Sequence, residues 1–562
     1  MKAALSILAT LLLSSMLLAQ AGPAAQDKQP ADQSQPATVT ATQVKALEDA
    51  LAAQQKQIDE QRQQIEALRE QLGQQGTPHV TDASLHPLGD SSSRAVVSDA
   101  AGPQEKPKES PLSVRIGNTE FTPGGFADFT AVFRTTNSNA AIGTGFNSIP
   151  FSNTVAGHLT ENRFSAQNSR LTLKVHGLYG ENDVTGYVEF DFLGNAPANL
   201  HVTSNSDTSR LRLYWVDLRR GKWEFLGGQS WSWLTPNRVG VSPMPGDIFF
   251  TNNMDTNYQV GLTWTRAAQF RVAYHFNPHW ILGVALENPQ QYTGPSGVTF
   301  PFAFNAQLGG QFDAGANIAT PNLHPDIIAK LAYDTDFSGK HFHAEVAGVA
   351  TTVKTTVIPT PGGTSFRSQS ATGGGLSGAI NLEFAKNVHL VANAFWSDGG
   401  GRYIFGLAPD AIVSISGTAP GPITAGPVLI HTASGIVGLE AQVTPKHMLT
   451  AYYGGEYAAR STFHDFSAPT LLLPVACWPG DALIAKPCAG YGYLGSPNSH
   501  NRAIQEGTIG WIYTFWSDKN YGKLQLITQW SYLTRAPWFV APGAPKNAHA
   551  FMAWADVRYT LP

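Results

Sequence analysis

Residues 551–561, FMAWADVRYTL, decide the fold of this chain. The odd positions hold Phe, Ala, Ala, Val, Tyr and Leu in turn, whereas the even positions include Asp556, Arg558 and Thr560. Because successive side chains of a strand point to opposite faces, one face of this segment is apolar and the other is suited to contact with water. Such alternation is typical of a strand that separates lipid from a water-filled lumen.

The same alternation recurs, segment after segment, from residue 112 to residue 562. This region contains no apolar run long enough to span a membrane as a helix. A closed barrel is the sheet that can lie in lipid with every backbone group paired. We therefore predict an all-β fold, a transmembrane antiparallel β-barrel, over residues 112–562.

The composition is compatible with this prediction. Hydrophobic residues make up 42% of the chain and the mean hydropathy is −0.15, values that a barrel shares with soluble proteins because half of each strand faces water. Charged residues make up only 14%, against about 25% in soluble domains. The formal net charge of −4 and the lack of a basic run argue against a nucleic-acid partner.

The residues before the barrel divide into short segments. Residues 1–21 have the positive start, the apolar core and the small-residue cleavage site of a secretory signal peptide. A membrane anchor helix is the alternative, but the core is short for it. Residues 22–43 are rich in Ala, Gln and Pro and are predicted to be disordered. Residues 73–111 are predicted to be a linker.

Residues 44–72 carry a heptad repeat. The a positions are Val44, Leu51, Ile58, Ile65 and Leu72, and the d positions are Leu47, Gln54, Gln61 and Leu68. This pattern predicts a short α-helical coiled coil, placed in the periplasm, that joins copies of the chain. The alternative is a lone amphipathic helix, which at this length would be only marginally stable in water.

Sixteen strands are predicted in the barrel. They lie near residues 125–134, 168–176, 184–192, 209–217, 222–229, 257–276, 280–287, 326–334, 341–349, 376–385, 387–396, 433–443, 447–457, 504–516, 523–533 and 549–561. The apolar residues between Tyr258 and Phe276 share one parity, so we interpret 257–276 as one long strand. Two strands there would give seventeen.

The links between the predicted strands support the even number. With sixteen strands, short and long links alternate throughout, which is the porin arrangement of short periplasmic turns and long external loops. Both chain ends then lie in the periplasm. The long links at 230–256 and 350–375 are predicted to be external loops, and the aromatic residues of 230–256 favour a loop that folds into the channel. A surface loop or an interface is equally compatible with that segment.

Five segments carry a resemblance to a known family. They are SVRIGNTEFTPGGFADFTAVFR at 113–134, NRFSAQNSRLTLKVHG at 162–177, RLRLYWVDL at 210–218, FLGGQSW at 225–231 and ALENP at 285–289. These segments resemble the DcaP-like family of outer-membrane porins. The resemblance covers most of residues 44–562. It implies a trimer of sixteen-stranded barrels with a periplasmic coiled coil, and passive uptake of small organic anions. The chain departs from the family at Leu561-Pro562, where such barrels usually end in an aromatic residue that the insertion machinery reads.

Three successive early strands carry basic, acidic and again basic side chains on the lumen face. On the third of them, Leu211, Leu213 and Trp215 are predicted to face lipid, so the residues between them face inward. The same reasoning along the wall predicts these pore-lining residues: Arg170, Lys174, Glu189, Asp191, Arg210, Arg212 and Arg271. The basic residues either pair with the acids and stiffen the wall, or leave spare guanidiniums that attract anionic solutes. Both roles are compatible with the sequence.

Two further groups of residues bear on chemistry. Cys477 and Cys488 lie in one predicted loop, and export through an oxidising compartment favours a disulfide over two free thiols. His341, His343 and Glu345 share one face of a strand and could hold a metal ion, but they show no dedicated ligand spacing. We interpret these three as polar lumen lining and predict no metal site.

The sequence predicts a porin rather than an enzyme. It contains no nucleophile elbow, phosphate-binding glycine loop or metalloprotease His pair, and no cofactor is predicted. We expect an outer-membrane homotrimer, in contact with lipid, through which small polar or anionic solutes diffuse. The alternative is a structural envelope protein whose coiled coil spaces or tethers the membrane, although no wall-binding domain is visible.

The heptad repeat makes a prediction about oligomeric state. The full-length protein in mild detergent should have the mass of a trimer by native mass spectrometry, because the unbroken a positions pair helices, and the family resemblance favours three copies. Breaking the repeat with Ile58→Asp should lower the trimer fraction. A wild-type protein that is monomeric under these conditions would contradict the prediction.

Overall fold

The computed structural model describes residues 110–194, 207–294, 297–315, 320–360, 363–417 and 423–562. The predicted signal peptide, disordered segment and coiled coil lie outside the described residues, as does nearly all of the linker. No helix among the described residues is long and apolar enough to cross a membrane.

Strands make up most of the described chain. They are β1 (Val114–Ile116), β2 (Thr119–Arg134), β3 (Glu161–Ser165), β4 (Arg170–Tyr179), β5 (Asn182–Asp191), β6 (Arg210–Arg220), β7 (Trp223–Trp231), β8 (Arg266–His275), β9 (Trp280–Glu287), β10 (Asp326–Phe337), β11 (Lys340–Val357), β12 (Arg367–Ala385), β13 (Val388–Asp398), β14 (Ala411–Ser416), β15 (Thr424–Leu429), β16 (His431–Thr444), β17 (His447–Ala458), β18 (Ser461–His464), β19 (Cys488–Tyr491), β20 (Asn501–Asp518), β21 (Gly522–Pro537) and β22 (Ala548–Thr560). The described helical turns are short: Phe146–Ser148, Val155–His158, Pro245–Asp247, Phe302–Phe304, Asn305–Leu308 and Gly401–Tyr403.

Antiparallel pairing closes the sheet into a barrel. The last strand, β22, pairs with β2 from Phe126↔Thr560 to Arg134↔Met552. Strands β3 and β4 pair with different halves of β2, so together they form one interrupted wall strand. Strand β1 is a short hairpin partner of β2, while β14–β15 and β18–β19 form separate hairpins in the links. Sixteen wall strands remain, which confirms the predicted count.

The wall alternates between an apolar outer face and a polar or packed inner face. On β22, Phe551 and Val557 are exposed on the outside, whereas Met552 and Asp556 are buried on the inside. Most wall strands expose large apolar side chains in the same way. In water such a surface would be unfavourable, but in a bilayer it meets hydrocarbon, as a transmembrane barrel requires.

The links alternate in length as predicted. At one end of the barrel, the hairpins that join β4 to β5, β6 to β7, β10 to β11 and their counterparts have turns of two to four residues. Gly180 and Gly221 adopt φ values of 65° and 56° in two of these turns, a conformation that the tightest hairpins need. The long links lie at the opposite end. The link predicted at 350–375 is shorter than expected, because β11 continues to Val357 and β12 begins at Arg367.

The prediction of one long strand at 257–276 was wrong in its first half. Strand β8 begins at Arg266, and Tyr258, Val260 and Trp264 are buried inside the barrel rather than exposed on its wall. The strand count is unaffected, because β8 remains one strand. The shared parity arose because an extended segment inside the lumen also alternates between two packed surfaces.

The predicted outward direction of Leu213 and Trp215 was also wrong. Both are buried on the inner face, while Tyr214 and Val216 are exposed to the outside. The ladder between β5 and β6 shifts register next to Glu189, which pairs with Leu213. The shift is that of a β-bulge, and one extra residue reverses the parity of everything that follows.

The longest link between wall strands that the structure describes without a gap contains both cysteines. Cys477 and Cys488 are bonded, with their sulfur atoms 2.05 Å apart, and Cys488 begins strand β19. Hairpin β18–β19 pairs Ser461 with Tyr491 and His464 with Cys488. The bond therefore ties the middle of the link to a hairpin next to the wall.

Candidate pore constriction

Arginine and carboxylate side chains from three neighbouring strands meet on the inner wall. Asp191 of β5 lies between Arg170 of β4 and Arg210 of β6 in the strand register. Arg210 donates from Nε and Nη2 to the two oxygens of Asp191, at 3.0 and 2.7 Å. Arg212 donates from Nε to Glu189 and from Nη1 to Asp191, both at 2.6 Å. These five residues are called the charge cluster below.

The β-bulge of β6 is what makes this arrangement possible. It leaves Arg210 directly opposite Asp191 while moving Leu213 opposite Glu189. Arg212 then lies between the two acids and contacts both of them. Bidentate guanidinium–carboxylate pairs are among the strongest protein hydrogen bonds, so the cluster is rigid.

The two charge signs differ in their exposure to the lumen. The side chains of Glu189 and Asp191 are 2% and 0% exposed, whereas those of Arg170 and Arg210 are 16% and 36% exposed. Both acids are therefore more deeply buried than Arg170 and Arg210, while Arg212, at 4% exposed, is buried with the acids.

Arg170 is held less tightly than the other two arginines. Its Nη1 lies 3.7 Å from Glu189, and its Nη2 donates a long hydrogen bond of 3.5 Å to the Tyr258 hydroxyl. The Phe126 ring lies between two guanidiniums, 5.3 Å from that of Arg170 and 4.3 Å from that of Arg558. Such cation–π contacts fix the direction of a cation without neutralising it.

Tyr258 belongs to the link between β7 and β8 and not to a wall strand, and its hydroxyl contacts Arg170. Its backbone φ is 63°, a left-handed conformation that costs a non-glycine residue about 1 kcal/mol or more and is often found at functional sites. Burial tends to raise the pKa of its hydroxyl, but the charges of Arg170 and Arg212 outweigh burial and lower that pKa. The hydroxyl is thus positioned by the positive field of the charge cluster.

The structure separates the other two predicted pore residues from the cluster. Lys174 lies four residues further along β4 and is half-buried, with no hydrogen bond or ion pair to a described residue. Arg271 is buried on β8, 3.4 Å from Glu224 and stacked on the Trp233 ring. It belongs to a second charge group on β6–β8, in which Glu224 also contacts Arg219 at 2.7 Å.

One arginine of the site escaped sequence reasoning. Arg266 lies at the start of β8, within electrostatic range of Arg210, Arg212 and Asp191, and forms no ion pair with a described residue. Its guanidinium lies 5.5 Å from the Trp231 ring, which Arg212 also contacts. By parity it shares a face with the lipid-exposed Phe270, so the alternation pointed it the wrong way. Only its position beside the inward segment could have revealed it.

Residues 232–265, called the crossing segment below, fold into the lumen. Polar side chains of the barrel wall bind the first half of the crossing segment. Glu287 accepts from the backbone N–H of Trp233 at 2.7 Å, and Lys330 donates to the carbonyl of Thr235 at 3.1 Å. Arg238 then forms a bidentate pair with Glu440, at 2.7 Å for both bonds. The segment therefore reaches from β7 to β16 on the far side.

The second half of the segment packs against other strands of the inner wall, β20 and β21. Gln529 accepts from the backbone of Met254 and Asp255, and Glu506 accepts from Val260 at 3.0 Å. Backbone groups buried away from water need such partners. The crossing segment thus becomes an inner lining of the wall, and narrows the lumen toward the charge cluster.

Glycines bring the crossing segment into close contact with the wall. Gly261 has a φ of 93°, and a Cβ there would collide with the carbonyl oxygen of Gly435. A Cβ on Gly454 would collide with the carbonyl oxygen of Val260. These residues allow two backbones to approach more closely than side chains permit.

A second inward link packs against the crossing segment. Phe405 stacks on Trp264 with ring centres 4.5 Å apart. Arg402 contacts both Asp326 and Asp410, which ties the link to β10. Burial raises the pKa of the Asp410 carboxyl to about 6, although Arg402 opposes the shift. The crossing segment is thereby held from the long-link end of the barrel as well.

The residues considered for a metal site have other partners. His343 contacts Asp334 through Nδ1 at 2.9 Å and Glu345 through Nε2 at 3.2 Å. The other oxygen of Glu345 accepts from Lys330 at 2.9 Å. These groups form a buried hydrogen-bond network beneath the crossing segment.

A closed apolar-faced wall, a charged lumen and an inward segment define a transmembrane β-barrel of the porin type. Its fold is similar to that of the outer membrane channel DcaP of Acinetobacter baumannii. The TM-score is 0.52 at 16% sequence identity, and the match covers 79% of this chain and 97% of that one. The resemblance to DcaP read from the sequence is thus confirmed at the level of the fold.

Other comparisons are more distant. An anion-selective porin from Comamonas acidovorans matches with a TM-score of 0.41 at 9% identity, over 79% of this chain and 99% of that one. OprB of Pseudomonas putida matches with a TM-score of 0.40 at 11% identity, over 78% and 94%. The family described as "Putative MetA-pathway of phenol degradation" matches residues 203–352. No curated protein matches the chain.

The glycine contacts predict how the crossing segment can be displaced. Gly454→Val should push it off the wall, because the new side chain overlaps the Val260 carbonyl, at a cost of about 1–3 kcal/mol. Single-channel recordings should then show a larger conductance. Gly435→Ala is the control, since its Cβ would lie 3.5 Å from the nearest atom. An unchanged conductance in Gly454→Val would show that the segment does not narrow the channel.

The charge cluster predicts opposite behaviour for two neighbouring arginines. Arg212→Gln should lower the free energy of unfolding by about 3–5 kcal/mol, because it strips a buried partner from two buried acids. Arg210→Gln should cost less, about 1 kcal/mol, since Arg210 is partly solvated and Asp191 keeps Arg212. Urea unfolding in vesicles, followed by tryptophan fluorescence, measures both. Equal losses would contradict the assignment of inner and outer arginines.

Proposed function

We propose that the protein is an outer-membrane porin for passive diffusion of small hydrophilic solutes, with a preference for organic anions such as dicarboxylates. The observation that carries the proposal is the layered charge cluster. Two of its three arginines, Arg170 and Arg210, are partly exposed, and its acids are covered. Although the numbers of opposite charges are similar, the surface offered to a solute is basic.

Physical principles favour anions at such a surface. A water-filled lumen with low-dielectric walls focuses the field of the charges on its surface. Rings or rows of arginine select anions in pores, and a guanidinium matches a carboxylate through its planar fork. Arg266, which forms no ion pair with a described residue, adds to the positive side. In the second charge group, Glu224 and Arg271 are buried, whereas Arg219 is 42% exposed.

The spacing of the arginines supports dicarboxylates in particular. Arg170 and Arg210 flank Asp191 in the register, one strand to each side. Adjacent strands lie about 4.8 Å apart, so the two backbones are roughly 10 Å apart and the side chains can converge. A solute with two carboxylates meets both guanidiniums at once, which a monocarboxylate cannot do.

The remaining parts of the proposal concern place and assembly. The long links are external loops, the short turns face the periplasm, and the coiled coil at 44–72 lies in the periplasm and joins three chains. A purely structural envelope protein would have no use for partly exposed arginines above buried acids, so this alternative gains no support from the lumen.

Selectivity should follow the exposed arginines. In planar bilayers under a salt gradient, we expect a reversal potential of anion-preferring sign for the wild-type channel. Arg170→Glu combined with Arg210→Glu should abolish or reverse it, because the exposed charge changes sign. Arg212 is left intact, because its loss would disturb the ion pairs of the buried acids and would not report on the charge exposed to the lumen.

The control for this experiment is Arg220→Glu. Arg220 is the last residue of β6, next to the turn that leads to β7, and is well exposed, with Glu181 as its partner at 3.2 Å. Its reversal should leave the potential nearly unchanged at about 0.1 M salt, where charges beyond about 10 Å are screened. A wild-type channel that prefers cations would refute the anion preference.

A further inference from the structure

A histidine lies directly beside the disulfide in the link between β17 and β20. His464 is the last residue of β18 and lies opposite Cys488 in the ladder with β19. Its Nδ1 is 3.4 Å from the sulfur atom of Cys477. Both His464 and Cys477 are buried. One imidazole nitrogen and two sulfur atoms thus lie within 4.8 Å of one another, and we call these three residues the sulfur–histidine group.

An aspartate fixes the direction of the imidazole ring. Nε2 of His464 donates to Oδ2 of Asp481 at 2.9 Å, and the same oxygen accepts from the backbone N–H of Cys477 at 2.8 Å. The other oxygen of Asp481 accepts from the backbone N–H of Ala482 at 2.8 Å. A neutral imidazole that donates from Nε2 carries its lone pair on Nδ1, the nitrogen that faces the sulfur. Carboxylates hold metal-binding histidines in this way.

The spacing of the donor atoms matches a tetrahedral metal site. With Zn–S bonds of about 2.3 Å and Zn–N bonds of about 2.0 Å, a nitrogen and a sulfur on one zinc ion are roughly 3.5 Å apart. The distance from Nδ1 of His464 to the sulfur of Cys477 is close to this value. Two cysteines and one histidine, with water in the fourth position, are also a ligand set that zinc uses. The disulfide is the obstacle, because the thiolate is the form of cysteine that binds a metal.

We infer that the sulfur–histidine group binds one Zn²⁺ ion, or another thiophilic divalent ion such as Cd²⁺, when the disulfide is reduced. Two molecules of a small thiol supply the two electrons and two protons, and they leave joined as their own disulfide. Cys477 and Cys488 then carry one thiol each. Binding of Zn²⁺ forms two Zn–S bonds and one Zn–N bond to Nδ1 of His464, and it releases the two thiol protons.

The bound ion takes over the mechanical role of the disulfide. It joins Cys477, in the middle of the link, to Cys488 at the start of β19, as the covalent bond does in the oxidised protein. The link therefore stays tied to its hairpin in both redox states when metal is present. The inference goes beyond the proposed function and does not depend on which solutes cross the lumen.

Native mass spectrometry of the full-length protein in detergent tests the inference. The protein is reduced with a phosphine, desalted without oxygen and mixed with an equimolar amount of ZnCl₂. The reduced wild type should retain one Zn²⁺ ion per chain, and the oxidised wild type should retain none. Asp481→Asn should weaken binding about 10–100-fold, and His464→Ala should weaken it at least as much, because a ligand is lost. His158→Ala removes an exposed histidine of another long link and should leave binding unchanged.

A second measurement needs no substitution. Bound Zn²⁺ should slow the alkylation of Cys477 and Cys488 by iodoacetamide in the reduced wild type by about tenfold or more, because the metal occupies the thiolates that react. Three results would overturn the inference: no zinc on the reduced protein, equal zinc on the oxidised and reduced proteins, or equal affinity of His464→Ala and the wild type. Neither measurement uses conductance, so failure here is distinct from failure of the selectivity experiment.

Discussion

Carboxylates buried inside the barrel are the constraint on which the rest of the lumen depends. A buried acid is tolerated when it is paired, accepts hydrogen bonds or is neutral. Glu287 and Glu506 meet this need by accepting from the backbone of the crossing segment, and Glu440 by pairing with Arg238. Asp191 meets it through two arginines. The acids thereby determine both where the segment lies and which way the guanidiniums point.

This constraint explains how a channel can be basic without an excess of basic residues. The formal net charge is −4, and the lumen carries acids on most strands. The electric field at a solute depends on how exposed the charged side chains are and not on how many there are. The charge of a covered acid is compensated by its partner, whereas an outer arginine remains partly solvated. The second charge group has the same pattern, because Glu224 is buried against Arg271 and Arg219 while the Arg219 side chain is 42% exposed.

The sequence was sufficient to predict the wall but not the lumen. Alternation in β22 and the alternation of link lengths led to sixteen strands, because lipid imposes a strict period of two on the outer face. Inside the lumen, the same period of two led to wrong predictions. Tyr258 and Val260 alternate like a strand although they cross the lumen, and a bulge turned Leu213 inward. Arg266 was missed for a related reason, since its neighbours and not its parity determine its direction. Such contacts join residues that are far apart in the sequence and produce no local sequence pattern from which they could be predicted.

Anomalous scattering from crystals soaked in bromide or rubidium salts tests the central claim, a layer of arginines above covered acids, most directly. The account predicts bromide peaks in contact with the guanidiniums of Arg170, Arg210 or Arg266 on the lumen side, and no rubidium at Glu189 or Asp191. Rubidium bound to either acid, with no bromide at the arginines, would contradict it. That result would mean that the acids, and not the arginines, form the surface that solutes meet.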